Sequence, residues 1–171
     1  MEKIKSELSV VWQRSKAILM LLLVITLFGF YFINRYTITV NGAKSDCLNA
    51  SVFLVDKWDK TVHNGDVVMF RMQIENGIHP VGSIWAKKVA AMGGETVQVD
   101  HYSVKVNDKR YPLATDYVLK KLNIDPNSLK TTWTLEKGQL FMIGETFSSF
   151  DSRFWGPIEQ KDVLGKAYAI F

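Results

Sequence analysis

After residue 35, apolar and polar positions alternate along most of the chain, as they do in β-strands that bury one face. Strands are predicted where this alternation coincides with β-branched or aromatic residues, at 37–40, 51–55, 66–70, 95–99, 102–106, 139–143 and 163–171. A short helix is predicted at 116–122, inside a stretch of about 110–131 that interrupts the alternation and resembles an insertion. The pattern therefore predicts one mainly β domain over residues 36–171.

The N-terminal part of the chain shows no such alternation. Residues 17–33 carry no charge and no polar face beyond Thr26. As a helix this segment would be about 25 Å long, at the short end of what spans a bilayer. A cleaved secretory signal should end in small residues at alternate positions, and the residues that follow offer no such site. We therefore expect a retained transmembrane anchor at 17–33 with the lipid bilayer as its partner.

Basic residues flank this segment mainly on its N-terminal side: Lys3, Lys5, Arg14 and Lys16. Short segments rich in lysine and arginine stay on the cytoplasmic side of a membrane. The distribution predicts a single-pass protein whose residues 1–16 are cytoplasmic and whose residues 36–171 lie outside the cytoplasm.

Composition excludes several classes of function. The net charge is +4, but the basic residues are scattered with no run of five, so we expect no nucleic-acid partner. Cys47 is the one cysteine, which excludes an intrachain disulfide and a cysteine-based zinc site. The three histidines lie far apart without the spacing of metal ligands. No metal and no cofactor are expected.

Two residues suggest a different chemistry. Ser45 lies just outside the anchor between two predicted strands, and Lys87 lies in a hydrophobic run. On a strand, Lys87 shares a face with Trp85 and Val89, whereas the next lysine in the chain points the other way. Burial disfavours an ammonium ion, and a neutral amine can take the proton of a serine hydroxyl without any histidine. Taken singly, a lysine on a strand edge and a serine in a turn are both ordinary features.

Residues 149–157, SFDSRFWGP, closely resemble the last signature of bacterial type I signal peptidases, the Ser-Lys proteases of the S26 clan. Residues 86–97, AKKVAAMGGETV, are similar to the box of that family that contains the lysine, and Met69-Phe70 is similar to one of its strands. The order of serine, lysine and S-x-D-S-R also matches. The resemblance covers nearly the whole domain.

This resemblance implies a signal-peptidase-like β-sheet domain in the bacterial inner membrane, with the catalytic domain on the periplasmic or extracytoplasmic side. It implies that Ser45 is the nucleophile, Lys87 the general base and Lys88 the basic residue after the base. Ser149 would orient the lysine amine. The loop would be braced, with an ion pair tying it to the lysine strand, by Asp151, Ser152 and Arg153. The implied substrate is a leader-bearing preprotein lying extended along an open strand edge.

The chain also departs from the family pattern. Ser45 is followed by Asp-Cys-Leu instead of Met-x-Pro, and Glu145 stands in place of an aspartate. Ala43 replaces a serine that many members have near the nucleophile. Losing one oxyanion donor costs about 3 kcal/mol of transition-state stabilisation. Lys44 or Ser51 could supply another donor.

The N-x-x-K-S pattern of residues 41–45 and the small insertion resemble the conjugative-transfer branch, TraF-like peptidases that mature pilin subunits. A propilin is therefore the predicted substrate. Three alternatives stay open: a general secretory leader peptidase, a nucleophile at Cys47, and a non-catalytic relative that serves as an assembly or substrate-binding component of a secretion apparatus.

Overall fold

The structure is a computed structural model, and it describes residues 2–40, 47–100, 102–112 and 116–170, with side chains described from residue 12 onward. It contains two compact units, Met1–Tyr36 and Thr37–Phe171, which are described separately.

The first unit is a long helix, α1 (Glu2–Arg35). It is longer than the predicted segment 17–33 because the residues on its N-terminal side include lysine, glutamate, glutamine and arginine, all good helix formers. Within it, Trp12–Arg35 is the one helix of the described chain that is long and apolar enough to cross a membrane, judged by length and composition. The hydroxyl of Thr26 donates to the carbonyl of Leu22 one turn earlier, so the polar group of this side chain has a hydrogen-bond partner within the helix.

The second unit consists mainly of β-strands, which pair in two sheets. In chain order the described strands are β1 (Tyr36–Val40), β2 (Val52–Asp56), β3 (Val67–Arg71), β4 (Ile84–Met92), β5 (Thr96–Val99), β6 (Ser103–Val106), β7 (Lys109–Pro112), β8 (Thr131–Thr134), β9 (Gln139–Ile143), β10 (Ile158–Glu159) and β11 (Val163–Ala169). The larger sheet has the order β1-β2-β11-β3-β4-β9-β10, and the smaller one has the order β7-β6-β5-β8. The mainly β class predicted from the alternating pattern is confirmed.

Short helical segments connect some of these strands. They are α2 (Asp116–Leu122), α3 (Ser152–Trp155) and two 3-10 turns, Pro126–Leu129 and Gln160–Asp162. The stretch of about 110–131 contains α2, as predicted, but each of its ends belongs to a strand of the smaller sheet. The sequence does not reveal β7 because none of its four residues is buried, so it has no apolar alternation to detect.

Strand β4 lies in the middle of the larger sheet between β3 and β9. Its pairing with β9 shifts register between Val89 and Ala91, which indicates a β-bulge. Val89 packs in one hydrophobic cluster, whereas Ala90 and Ala91 pack in another with Phe141 of β9. The centre of β4 is therefore covered by protein on both faces, and a side chain on this strand can be removed from water.

Candidate active site

Lys87 is the buried charged side chain of β4, with only 1% of its surface exposed. It lies opposite Val68 of β3 in the strand register. Its Nζ lies 5.8 Å from the ring centroid of Trp85, two residues earlier on the same strand face. The burial of Lys87 predicted from its apolar neighbours on the strand is confirmed.

The amine of Lys87 is held by a serine hydroxyl. Lys87 Nζ donates to Ser149 Oγ at 2.9 Å, and Ser149 Oγ donates to Asp151 Oδ2 at 2.8 Å. A serine hydroxyl has a single proton. Because that proton is directed to the carboxylate, Ser149 presents a lone pair to the lysine and acts as an acceptor.

A glycine makes room for this serine. A Cβ added to Gly144 would overlap the side chain of Ser149 and come within 2.7 Å of the Cys47 carbonyl oxygen. Gly144 directly follows β9, so the end of this strand lies between the lysine-binding serine and the segment that begins at Cys47. The sequence alone does not show why a glycine is needed at this position.

The carboxylate of Asp151 is fully buried and is neutralised by Arg153. The guanidinium donates to both carboxylate oxygens at 2.7 Å, through Nε and Nη2, in a bidentate pair. The backbone N–H of Gly144 donates to the same carboxylate at 2.9 Å. Burial by itself would raise the pKa of Asp151, but the charges of Arg153 and Lys87 and these hydrogen bonds hold it below its ordinary value.

The sequence predicted a loop after Ser149, and the structure has the short helix α3 within it. Asp151 caps the short helix α3 by accepting from the N–H of Arg153, and Ser152 Oγ accepts from the N–H of Met142 in β9 at 2.9 Å. Its described hydrogen bonds run to β9 and Gly144, through Ser152 and Asp151, while Phe150 and Trp155 pack against Trp85 of β4. The bidentate bond expected for the Asp-Arg pair is present, but its two members belong to the same segment, so that bond by itself joins no second strand.

Lys88 points to the other side of β4, where it is half-buried and forms an ion pair. Its Nζ lies 2.8 Å from Glu145 Oε1. The other oxygen of Glu145 accepts from the N–H of Asn49 at 3.1 Å, and the N–H of Glu145 donates to the carbonyl of Cys47 at 2.7 Å. Glu145 thus fastens the segment 47–49 to β4, a role that the sequence did not reveal.

The electrostatics of Glu145 agree with this arrangement. Burial would raise the pKa of Glu145, but the hydrogen bonds from Lys88 and from the Asn49 N–H, together with the lysine charge, lower it. Glu145 is therefore expected to be ionised at neutral pH and to keep both contacts.

The predicted nucleophile Ser45 lies outside the described residues, as do Ala43 and Lys44. The description resumes at Cys47, which is partly exposed, and Ser51 is exposed just before β2. The structure therefore brings together the predicted lysine, serine, aspartate and arginine, and it shows where the chain that follows Ser45 is held.

A cavity of about 570 Å³ lies beside the segment 150–156, lined in part by Trp133, Arg153 and Trp155, but neither Lys87 nor Ser149 lines it. Trp155 is 9% exposed and packs against Phe70 and Trp85. Trp155 is therefore a packing residue of the larger sheet. The cavity thus reaches the site at Arg153 and not at the lysine amine.

A mainly β domain that holds a buried lysine amine against a serine hydroxyl, in a chain with an apolar N-terminal helix, is what we expect of a Ser-Lys peptidase. The family model described as "Signal peptidase, peptidase S26" matches residues 11–171. The chain belongs to this signal peptidase family.

Individual relatives agree with the family. Signal peptidase I V of Bacillus subtilis (strain 168) is 31% identical over 124 residues, which are 66% of this chain and 70% of that protein. Signal peptidase I of Buchnera aphidicola subsp. Acyrthosiphon pisum (strain APS) is 44% identical over 46 residues, which are 26% of this chain and 15% of that protein. The crystal structure of a signal peptidase I from Enterococcus faecalis V583 aligns with a TM-score of 0.41 and 23% identity, covering 62% of this chain and 96% of that chain.

The family match and the two signal peptidase relatives confirm the predicted enzyme class, a serine-type signal peptidase that cleaves leader peptides. The conjugative branch, the pilin substrate and the orientation in a membrane stay predictions.

Proposed function

We propose that the chain cleaves leader peptides with Ser45 as the nucleophile and Lys87 as the general base. Ser45 Oγ attacks the scissile carbonyl while its proton moves to Lys87 Nζ. The resulting ammonium gives that proton to the departing amine as the peptide bond breaks. Lys87 then takes a proton from the water that hydrolyses the acyl-enzyme, and the serine is regenerated.

The hydrogen bond between Lys87 and Ser149 is the observation that carries this proposal. Because the Ser149 proton is directed to Asp151, Ser149 accepts from the amine. A neutral amine that uses one N–H for this bond keeps its lone pair for another group. The bond therefore orients the base without consuming the electron pair that catalysis needs.

The position of the segment after Ser45 supports the choice of nucleophile. Cys47 and Asn49 are held by Glu145, and Leu48 between them is buried. Two residues of extended chain span at most about 7 Å. A nucleophile at Ser45 is thus tethered to a point that lies next to Gly144 and Ser149.

The proposed substrates are leader-bearing preproteins, and more narrowly the propilins of a conjugative transfer system. In this proposal α1 anchors the chain in the bacterial inner membrane, residues 1–16 lie in the cytoplasm and the β domain lies outside it. The basic residues that precede the apolar segment support the orientation. The N-x-x-K-S pattern and the small insertion support the branch.

The test uses the full chain in detergent and a leader-bearing preprotein whose cleavage is followed on a gel. Ser45→Ala and Lys87→Met should each abolish cleavage, and methionine replaces the lysine stem without leaving a cavity. Cys47→Ala is the matched control and should cleave normally. Cleavage that survives Ser45→Ala but is lost in Cys47→Ala would assign the nucleophile to the cysteine. A wild-type chain that binds the leader without cutting it would instead be a non-catalytic relative.

The branch is tested by competition. A propilin and a general secretory preprotein are supplied together to the same enzyme, and the ratio of their kcat/KM values is measured. Preferential cleavage of the propilin supports the conjugative branch, whereas equal rates favour a general secretory peptidase.

A further inference from the structure

Two exposed aromatic side chains meet beside the lysine site. The rings of Tyr117 and Phe147 are in edge-to-face contact, with centroids 5.6 Å apart and an interplanar angle of 89°. Tyr117 is 50% exposed and Phe147 is 63% exposed, so their contact leaves much of both rings in water. Single exposed apolar residues are ordinary on protein surfaces, whereas adjoining ones that form a patch can mark a binding site.

Phe147 belongs to the turn that holds both lysines of β4. Glu145, two residues before it, pairs with Lys88, and Ser149, two residues after it, accepts from Lys87. The N–H of Ser149 donates to the carbonyl of Thr146, which closes the turn. Phe147 is thus the exposed tip of a turn whose two ends are fixed at the lysine site.

Tyr117 comes from α2, in the stretch between β7 and β8. The next two residues of the helix, Val118 and Leu119, are buried, and the Leu119 carbonyl accepts from the N–H of Ile124. The helix is therefore anchored, and the exposed ring of Tyr117 is presented from a fixed base. The two rings bring this stretch to the turn at the lysine site.

We propose that Tyr117 and Phe147 form a subsite that binds an apolar side chain of the leader peptide, and that α2 thereby contributes to substrate selection. This inference rests on the proposed function. The occupant is a leader peptide because Phe147 lies in the turn whose ends contact Lys88 and Lys87, and because leaders contain an apolar stretch of about 7–15 residues. The two adjoining rings offer apolar surface, with the Lys121 amine 5.8 Å from the centre of the Tyr117 ring on one side.

Binding is measured separately from catalysis. A fluorescent leader peptide is titrated into full-length Lys87→Met chain in detergent, and its Kd is read by polarisation. Adding Phe147→Ala or Tyr117→Ala should raise this Kd about tenfold, as expected when a peptide side chain loses part of its apolar burial. Phe147→Leu should retain most of the affinity. Tyr102→Ala removes an aromatic ring that is 57% exposed and precedes β6, and it should leave the Kd unchanged.

The same substitutions in the active chain should raise KM with little change in kcat. A series of leaders, each with one apolar residue replaced by serine, then locates the contact. For the leader that lacks the residue bound by Phe147, Phe147→Ala should cause no further rise in KM. An unchanged Kd, or a loss confined to kcat, would overturn the inference. If the substitutions had the same effect on every leader, and only with lipid vesicles present, Tyr117 and Phe147 would contact the membrane instead. If the effect depended on enzyme concentration, the two rings would contact a second copy of the chain. Absence of cleavage by the wild-type chain would count against the proposed function, while the Kd series would still test the subsite.

Discussion

Lys87 and Lys88 are neighbours in the chain, but the two faces of β4 place them in different surroundings. Lys87 is buried, and its described hydrogen bond goes to the neutral hydroxyl of Ser149, which in turn donates to the Asp151 carboxylate. We call this pair of hydrogen bonds the relay. Lys88 is half-buried and contacts a carboxylate directly. Lys88 thus has a carboxylate as its direct partner, whereas the partner of Lys87 is a neutral acceptor that the Asp151 carboxylate orients. In the proposed mechanism, one strand would therefore provide both the base and a structural cation.

The largest effect on stability is expected when the charge of Arg153, which neutralises Asp151, is removed. Replacing Arg153 with methionine leaves the Asp151 carboxylate buried without its guanidinium partner. Breaking such a buried pair from one side costs about 3–5 kcal/mol, so the free energy of unfolding should fall by that amount. Chemical unfolding of the full chain in detergent measures the loss.

A second substitution separates charge from packing. Asp151→Asn added to Arg153→Met removes the uncompensated charge and keeps an oxygen that can accept from the Gly144 N–H. The double variant should be more stable than Arg153→Met alone. Lys166→Met, which removes partly exposed ion pairs with Asp66 and Asp59, is the control and should cost less than about 1 kcal/mol. If Arg153→Met cost no more than this control, the charge-compensation argument would be wrong.

The next effect concerns the hydroxyl that orients Lys87. Ser149→Ala should lower kcat by about 10- to 100-fold with little change in KM, because it removes both the acceptor that orients the amine and a donor to the Asp151 carboxylate, and a hydrogen bond to a charged group contributes about 1.5–3 kcal/mol. Ser148→Ala, one residue earlier, is the matched control and should keep most of the activity. The rates are measured with a leader-bearing preprotein. Equal rates for the two variants would mean that the relay does not orient the base.

Acid should weaken both arrangements, and the buried one more strongly. The pKa values of Asp151 and Glu145 are lowered in the folded chain, whereas ordinary carboxyl groups titrate near about pH 4. The folded state therefore binds fewer protons than the unfolded state, so this stabilisation is present above about pH 4 and is lost as pH falls through the lowered values. Unfolding midpoints measured from about pH 6 to about pH 3 should decrease, and Asp151→Asn should flatten the decrease more than Glu145→Gln. A reversed order would contradict the contrast between the two faces.

The sequence supports one side of this comparison better than the other. Lys87 could be predicted as buried because its neighbours two residues away are apolar, and its link to the 149–153 segment followed from the family resemblance. The contact between Glu145 and the N–H of Asn49 joins residues that are 96 positions apart, and no local pattern reports such a pair. Helix α3 was missed because its four residues are too few for a helical period, and its start is defined by the Asp151 cap.

The smallest effect is expected on the Lys88 face. Lys88→Met removes an ion pair that is partly open to water, so stability should change by less than about 1 kcal/mol. Activity should fall less than tenfold, because the Glu145 N–H still donates to the Cys47 carbonyl and the Asn49 N–H still has its acceptor. Glu145→Gln removes the charge but keeps an oxygen for Asn49, and it should match Lys88→Met, whereas Glu145→Ala should reduce kcat further. Loss of all activity in Lys88→Met, with the chain still folded, would mean that Lys88 takes part in the reaction itself. Lys88 would then be the base in place of Lys87, or the two lysines would act together.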